Sequence, residues 1–487
     1  MPKLISTFFD SSNLKMFLSH KIRRSSFSTN RSTKKYKILR SSIALTNSLF
    51  WMKYKQILEM LMRKNVVLFS MFFILTSIVV ISPHMSFPLF RINASHSHLS
   101  NDSFIPIDFI AINGNEDFEN QADLLDWSGS GTAEDPFVIE NYNITNNRHL
   151  FRVVDTDYHF IFQNCWLDGL DNSWCGLYLA HVSNAIVRNV TIKNAAIGMH
   201  MLELNDSIIS NCDIYDNSAM GIALELTCVG NKIMNNTIYA NREGGIWLDW
   251  NNTENVIQEN EIYENWIVGI ELLEDSHDNI ILGNTLSKNH GHGIKALGNG
   301  SKIHHNIIAK NTASGIFVYG EGYDIHHNII WENNRMGIWG TFLAQDNSIY
   351  NNTILNCSSY AVRLDGKTSE NTVRFNDFID NAEKYQCIDD GTENIFDWNY
   401  YNPWNHTDAD MDFVIDFAYL IEGSKNNTDI HPTLHPNTDL PDWYAFEINQ
   451  PAGIPEPLAL MIPAIGTGVI VIMMVLSYVW WRNKPKE

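Results

Sequence analysis

The residues best suited to acid–base chemistry are carboxylates that recur at nearly constant intervals. Glu225 and Asp249 are 24 residues apart, and Glu271 follows 22 residues later. Two carboxyl groups held roughly 5 Å apart can serve as acid and nucleophile in a retaining glycosidase. These three are therefore candidate catalytic residues for a glycoside hydrolase or polysaccharide lyase. Their alternative role is to solvate an exposed sheet.

A histidine pair also recurs. His304-His305 and His326-His327 are each followed by Asn and lie 22 residues apart. Imidazoles brought together in this way bind copper or zinc. The four histidines are candidate metal ligands, with copper or zinc as the cofactor. Stacked surface histidines without a metal are the alternative, since no Met-rich or Cys-x-x-Cys motif accompanies them.

The elements that must position these side chains form an internal repeat of 22 to 24 residues. Short runs of alternating apolar residues lie between turn residues, which predicts short strands. One such unit cannot bury its own apolar face, but stacked coils can, with like residues above like at roughly 4.8 Å. The repeat is marked by a small residue before an aliphatic one, at Gly176, Gly198, Gly221, Gly245, Gly269, Gly293, Gly315, Gly337 and Ala361.

Two residue types recur in fixed columns of this repeat. We expect the Gly residues to occupy turns with positive φ, and we expect the Asn residues to stack as a hydrogen-bonded amide ladder. Only Cys357 interrupts the Asn column. The predicted rungs stand four positions before each Gly, at Asn172, Asn194, Asn217, Asn241, Asn265, Asn289, Asn311 and Asn333.

Residues 104–435 resemble the right-handed parallel β-helix repeat family, which includes NosD-like and pectin-lyase-like carbohydrate-binding and sugar-hydrolase repeats. The segment 129–142 is similar to the one that leads these domains into their first coil. The segment 399–432, with Asn399-Tyr400-Tyr401 and Asp429-Ile430-His431-Pro432, is similar to their terminal segment. The resemblance implies an all-β fold, a single-stranded right-handed parallel β-helix (solenoid). It implies no one activity, because members of the family differ in function.

The strand after each Gly is predicted to carry an outward shelf of aromatic and charged side chains, because the residue after the first aliphatic should point outward. Flat rings cover sugar faces, and charged groups bond to hydroxyls. Ala223 and the three candidate catalytic carboxylates share these columns. The predicted carbohydrate-binding residues are Tyr178, His200, Trp247, Lys295, Phe317, Tyr319, Trp339, Arg363 and Asp365.

The ends of the chain are basic and the middle is acidic. Residues 1–64 hold fourteen Lys and Arg against two carboxylates, although the whole chain has a net charge of −21. A middle this acidic repels phosphate backbones, which argues against nucleic acid as a partner. Residues 1–64 are interpreted as a basic N-terminal extension, and Met62 offers an alternative start.

Two apolar segments adjoin these basic ends. Residues 65–82 have the charge order of a signal peptide or signal anchor. Residues 458–481 are long enough to span a bilayer, between a Pro-containing linker at 436–457 and a basic tail at 482–487 expected in the cytoplasm. We therefore expect a membrane-anchored β-helix outside the cell or in a periplasm-like space. Twelve Asn-x-Ser/Thr sequons between Asn93 and Asn426 fit a glycoprotein.

The leading functional hypothesis is a cell-surface protein that binds, and in one version processes, extracellular polysaccharide or glycan. One alternative is a NosD-like accessory that delivers copper to a partner metalloenzyme. Another is a structural adhesin without enzymatic activity. The six cysteines show no metal-type spacing, and we expect them to be small core residues, with a disulfide left open.

Overall fold

The computed structural model describes residues 104–381, 384–404 and 406–438. The predicted extension 1–64, apolar segment 65–82, membrane span 458–481 and tail 482–487 lie outside these residues, as does the linker 436–457 beyond residue 438. Across the part of the chain that is described, every helix falls short of the length and apolarity needed to cross a membrane.

The described residues form a parallel β-helix with three faces. Each coil passes through three short strands, and each strand pairs in parallel with its counterpart one coil later, as Ile222 does with Ile246 and Ile246 with Ile270. We call the three resulting stacks sheet 1, sheet 2 and sheet 3. In every coil from Ile222 to Val362, the aliphatic residue that follows the repeated small residue pairs with the equivalent residue of the next coil, as the repeat predicts.

Sheet 1 contains the strands that follow the repeated Gly, and sheets 2 and 3 come next in each coil. The strands of sheet 1 are β2 (Ile110–Asn113), β5 (Phe151–Thr156), β10 (Ile222–Glu225), β13 (Gly244–Asp249), β16 (Val268–Leu272), β19 (His292–Ala296), β22 (Ile316–Val318), β25 (Ile338–Gly340), β28 (Val362–Leu364) and β31 (Cys387–Asp389). The strands of sheet 2 are β3 (Phe137–Glu140), β8 (Ile208–Ser210), β11 (Lys232–Met234), β14 (Val256–Gln258), β17 (Ile280–Leu282), β20 (Lys302–His304), β23 (Asp324–His326), β26 (Ser348–Tyr350), β29 (Thr372–Arg374) and β32 (Ile395–Asp397). The strands of sheet 3 are β1 (Ile105–Ile107), β4 (Tyr142–Thr145), β9 (Asp213–Tyr215), β12 (Thr237–Tyr239), β15 (Glu261–Tyr263), β18 (Thr285–Ser287), β21 (Ile307–Ala309), β24 (Ile329–Trp331), β27 (Thr353–Leu355), β30 (Asp377–Ile379) and β33 (Tyr400–Asn402).

Two long strands, β6 (Phe160–Ser183) and β7 (Ala185–Asn205), each bend through all three sheets. The first coils are closed by a helix, α1 (Gly114–Leu125), which the repeat pattern does not predict because it precedes the repeat. Phe118 of α1 is fully buried and stacks on Phe137 at 4.9 Å between ring centroids. At the other end, β34 (Tyr419–Leu420) and β35 (Thr428–Asp429) pair antiparallel.

The interior is filled by stacked aliphatic side chains. In sheet 2, Ile233, Ile257, Ile281, Ile303 and Ile325 follow one another coil by coil, and all are fully buried. Burying an isoleucine side chain contributes roughly 1.5–3 kcal/mol, so a column of this length is a large share of the stabilisation. All six cysteines are buried free thiols, so none forms the disulfide left open by the sequence.

The predicted Asn ladder is present from Asn217 to Asn333, where each side-chain amide donates to the Asn oxygen one coil on at 2.9–3.1 Å. Asn194 is not a rung, because its amide donates to Asp168 and Ala195 lies beneath Asn217 instead. A second and a third ladder occupy the other two corners, beginning at Asn231 and Asn236.

The third ladder is the longest and ends on a carboxylate. Its last amide, Asn399 Nδ2, donates to Asp429 Oδ2 at 3.0 Å, and the Tyr401 hydroxyl donates to the same oxygen at 3.1 Å. The buried rungs are Asn236, Asn260, Asn284, Asn306, Asn328, Asn352, Asn376 and Asn399.

The predicted role of the repeated glycines is wrong, because those residues do not adopt positive φ. They are needed because the coils approach closely. A Cβ on Gly245 would lie 2.5 Å from Ile262 Cγ2 and 2.6 Å from the Gly269 oxygen. Positive φ instead falls on the corner residue before each ladder Asn, such as His305 at 57° and His327 at 54°.

Candidate functional site

The outward side chains of sheet 1 form one continuous column, as the repeat predicts. Each aligns with its counterpart in the adjacent coil, and all except the buried Ala223 are partly exposed. We call this column, with the residues two positions further on in each strand, the shelf. The column reads Tyr178, His200, Ala223, Trp247, Glu271, Lys295, Phe317, Trp339 and Arg363.

Two of the three candidate catalytic carboxylates lie side by side. Glu225 and Asp249 are register partners on adjacent coils. Burial and, next, the nearby Glu225 carboxylate raise the pKa of Asp249 to about 6. On its other side, Glu225 Oε1 lies 3.4 Å from His200 Nε2. The pair therefore consists of a carboxyl that holds its proton in mild acid and a second carboxylate beside it.

Glu271 does not join that pair. It stands in the neighbouring column above Trp247, and Lys295 Nζ donates to its carboxylate at 2.6 Å. Across a cleft of about 150 Å³, Glu271 faces Glu243, and burial followed by this like charge raises the pKa of Glu243. Sequence reasoning missed Glu243, which lies just before the repeated Gly.

The C-terminal half of the shelf is aromatic. Phe317 and Trp339 meet edge to face at 5.1 Å between centroids. Trp339 Nε1 donates to Asp365 at 2.9 Å, and Arg363 Nε donates to the same carboxylate at 2.7 Å. Burial alone would raise the pKa of Asp365, but these hydrogen bonds outweigh it and the pKa is lowered. Tyr319 faces Phe342 at 6.1 Å.

His292 lies beside the shelf at the start of β19, and the sequence repeat assigns it no role. Its ring lies 4.9 Å from Phe317 and 6.4 Å from Trp339, and its Nδ1 accepts the Ser314 backbone N–H at 3.3 Å. Burial and then the neighbouring Lys295 lower the pKa of His292 to about 4. The imidazole is therefore neutral over most of the physiological pH range.

At the N-terminal end of the shelf, Tyr178 and His200 are in contact at 5.5 Å between centroids. His149 packs against the other side of Tyr178 at 5.7 Å. Burial raises the pKa of Tyr178 and is the main cause that lowers the pKa of His149. Tyr178 and His149 therefore both favour their neutral forms at this end of the shelf.

The four histidines lie on sheet 2 and its corner with sheet 3, apart from the shelf. His304 stacks on His326 at 4.7 Å and His305 on His327 at 5.0 Å, with interplanar angles of 11° and 1°. Tyr350 continues the first stack at 4.8 Å. Burial is the main cause that lowers the pKa of His326 to about 4, and it also lowers the pKa of His304 and His327.

Several solved structures are similar to this chain. The A-module of mannuronan C-5 epimerase AlgE6 from Azotobacter vinelandii is 17% identical, with a TM-score of 0.47 over 53% of this chain and 79% of that one. The AlgE4 A-module from the same organism is 16% identical, with a TM-score of 0.45 over 60% and 86%. The periplasmic alginate epimerase AlgG is 19% identical, with a TM-score of 0.32 over 59% and 54%. Similarity at this level describes the fold alone.

No curated protein matches this sequence. A family model described as the right handed beta helix region matches residues 127–286 and 273–402, which together exceed half of the chain. The three parallel sheets and their coil-by-coil register agree with that match. The predicted fold is therefore confirmed, and the chain belongs to the right-handed β-helix family.

Proposed function

We propose that the shelf on sheet 1 binds a polysaccharide chain that runs parallel to the β-helix axis. The observation that carries the proposal is the unbroken column from Trp247 to Arg363, which offers one aromatic or charged side chain per coil. Coils stack at roughly 4.8 Å, which is close to the length of one pyranose unit, so successive sugars would meet successive coils. Aromatic rings such as Trp339 supply flat apolar faces for the sugars.

The charges of the shelf favour a neutral polysaccharide over a polyanion. Its two cationic side chains are already paired, Lys295 with Glu271 and Arg363 with Asp365. The Glu225 and Asp249 carboxylates add two acidic groups beside the column. A polyuronate would meet like charge here, whereas neutral hydroxyls can donate to carboxylates.

Binding of neutral and uronate oligosaccharides to the purified full chain tests this proposal. Trp339→Ala should weaken binding of a neutral chain roughly fivefold, because the aromatic contact contributes about 1 kcal/mol. The matched control is Trp331→Ala, which removes a tryptophan from sheet 3. Equal affinity in wild type and Trp339→Ala, or tighter binding of uronates than of neutral chains, would contradict the proposal.

A second candidate function is hydrolysis of the bound chain. It is favoured by the raised pKa of Asp249 beside Glu225, since a carboxyl with a pKa of about 6 can act as a general acid next to a second carboxyl group in the role of nucleophile. Asp249→Asn and Glu225→Gln should each lower the release of reducing ends by roughly 10²–10⁴-fold. Affinity should change far less. Release that persists in both variants would assign hydrolysis to other residues.

We also propose that the β-helix lies outside the cell, anchored by residues 458–481. The support is the apolar length of that segment and the bases that follow it. Protease added to intact cells should degrade the β-helix and leave the basic tail protected. Protection of the β-helix in intact cells would place it inside.

A further inference from the structure

The four histidines present two matched pairs of ring nitrogens. His304 Nδ1 and His305 Nδ1 are 2.9 Å apart, and His326 Nδ1 and His327 Nδ1 are 2.8 Å apart. Both pairs are built on the same turn, in which the second histidine has positive φ. The two pairs are stacked one coil apart and face the same side of the β-helix.

The nitrogen spacing distinguishes among metal geometries. Two ligands bonded at about 2.0 Å and at right angles to one another are roughly 2.8 Å apart, whereas tetrahedral ligands at the same bond length are roughly 3.3 Å apart. Both histidine pairs match the right-angled arrangement. Tetragonal geometry with nitrogen ligands is typical of Cu(II), which also heads the divalent affinity order.

We propose that each histidine pair binds one Cu(II) ion through its two Nδ1 atoms, so that the β-helix carries two copper sites one coil apart. His304, His305 and His326 each have a ring nitrogen that lies within 4.8 Å of a ring nitrogen of the other two. The second ion binds more weakly than the first, because two dications held one coil apart repel each other.

Asp324 places a carboxylate beside the histidine stack. Its Oδ2 lies 3.9 Å from His326 Nε2, on the side of the ring opposite the pair. This distance is beyond hydrogen-bond reach, so Asp324 acts on the pair through its negative charge, which favours a bound cation. The Oδ1 atom of Asp324 is buried and has no hydrogen-bond partner among the described residues, so it can serve an added ligand or water.

Copper must compete with a hydrogen bond. At 2.8–2.9 Å each nitrogen pair can also share one proton, with one Nδ1 as donor and the other as acceptor. Such a bond is weak in net terms compared with two metal–ligand bonds. Copper binding therefore requires the donor ring to change tautomer, so that its proton leaves Nδ1, Nε2 becomes protonated, and both neutral imidazoles present Nδ1 to the metal.

The substitutions that test the sites keep the corner conformation. Asn tolerates positive φ, and Asn351 already occupies this corner position in the coil after His327, with φ 51°. His305→Asn and His327→Asn should therefore fold like wild type, which a melting curve checks. His290→Asn, at an exposed position outside the cluster, is the matched control.

Titration of the full chain with Cu(II), followed by calorimetry and electron paramagnetic resonance, decides the matter. Each single variant should bind one ion fewer than wild type and the double variant two fewer, with loss of the imidazole-nitrogen hyperfine pattern. Zn(II) should bind at least tenfold more weakly, and His290→Asn should match wild type. A double variant that binds as much copper as wild type, a double variant that loses only one ion, or zinc bound as tightly as copper overturns the proposal.

Discussion

Asp249 lies in surroundings that disfavour its charge. Burial and the adjacent Glu225 both raise its pKa, to about 6 from an ordinary value near 3.8. Because the folded protein holds this proton more tightly than the unfolded chain does, the group stabilises the fold below pH 4. That contribution is lost as the pH rises through 6.

Replacing this carboxyl should therefore matter most at neutral and alkaline pH. Asp249→Asn is expected to raise stability relative to wild type by roughly 1 kcal/mol at pH 8, after allowance for solvent screening, and to have little effect at pH 4. Thermal melts of both proteins at the two pH values measure the difference. A stability difference that is the same at pH 4 and pH 8 would refute this account of the Asp249 environment.

Asp365 provides a control of opposite sign. Hydrogen bonds from Arg363 and Trp339 outweigh its burial and lower its pKa, so its contribution to stability is present above the ordinary carboxyl pKa and lost in acid. Asp365→Asn should destabilise the protein at pH 8. This loss should shrink as the pH falls below 4.

The corner ladders are the elements that fix the coils in register. Asn284 makes four hydrogen bonds along the axis: it donates to the Ile257 and Asn306 oxygens at 2.8 and 3.0 Å, and its Oδ1 accepts twice from Asn260 at 2.9 Å. These groups are buried, so removing the side chain leaves several polar atoms without a partner.

We predict that Asn284→Ala destabilises the protein by roughly 2–4 kcal/mol, because each orphaned buried group costs about 1–3 kcal/mol. Urea unfolding measures the change. Asn334→Ala, at an exposed corner of a later coil, is the control and should be nearly neutral. A cost for Asn284→Ala no larger than for the control would show that the ladder does not stabilise the fold.

The glycine column reports how closely the coils approach. Gly245→Ala should cost roughly 1–3 kcal/mol, because the new methyl group meets Ile262 and the Gly269 oxygen at under 3 Å. In Gly366→Ala the nearest atom to the new methyl group would be the Asp390 oxygen at 3.5 Å, so that substitution should be tolerated. Equal melting temperatures for both variants would argue against steric need for glycine in this column.

The repeat could be predicted from sequence because one side chain per coil reports the register directly. The same pattern does not reveal the ladders that begin at Asn231 and Asn236, since these Asn residues stand at other offsets from the repeated Gly. It also missed Glu243 and His292, because both lie ahead of the repeated Gly: Glu243 precedes β13, and His292 is the first residue of β19. Helix α1 was not predicted because it occurs once, before the repeat, and so leaves no repeated pattern in the sequence.

At the scale of the whole molecule, the stacking of coils spaces the side chains of the shelf at regular intervals along the β-helix axis. From Trp247 to Arg363 it extends over six successive coils, each offering one outward side chain. A sugar chain along the axis should gain contacts with each added unit until it has covered these coils. A ligand that crosses the coils, or that binds at one end, would gain from only one or two units.

The most direct test of this account is the affinity of the full chain for neutral oligosaccharides of increasing length, measured by calorimetry. We expect the affinity to rise with each sugar up to about six units and then to level off, given one unit per coil of roughly 4.8 Å. Trp339→Ala should flatten the rise among the longer chains only. Affinity that does not depend on chain length, or absence of binding at every length, would contradict the assignment of the shelf as a polysaccharide site.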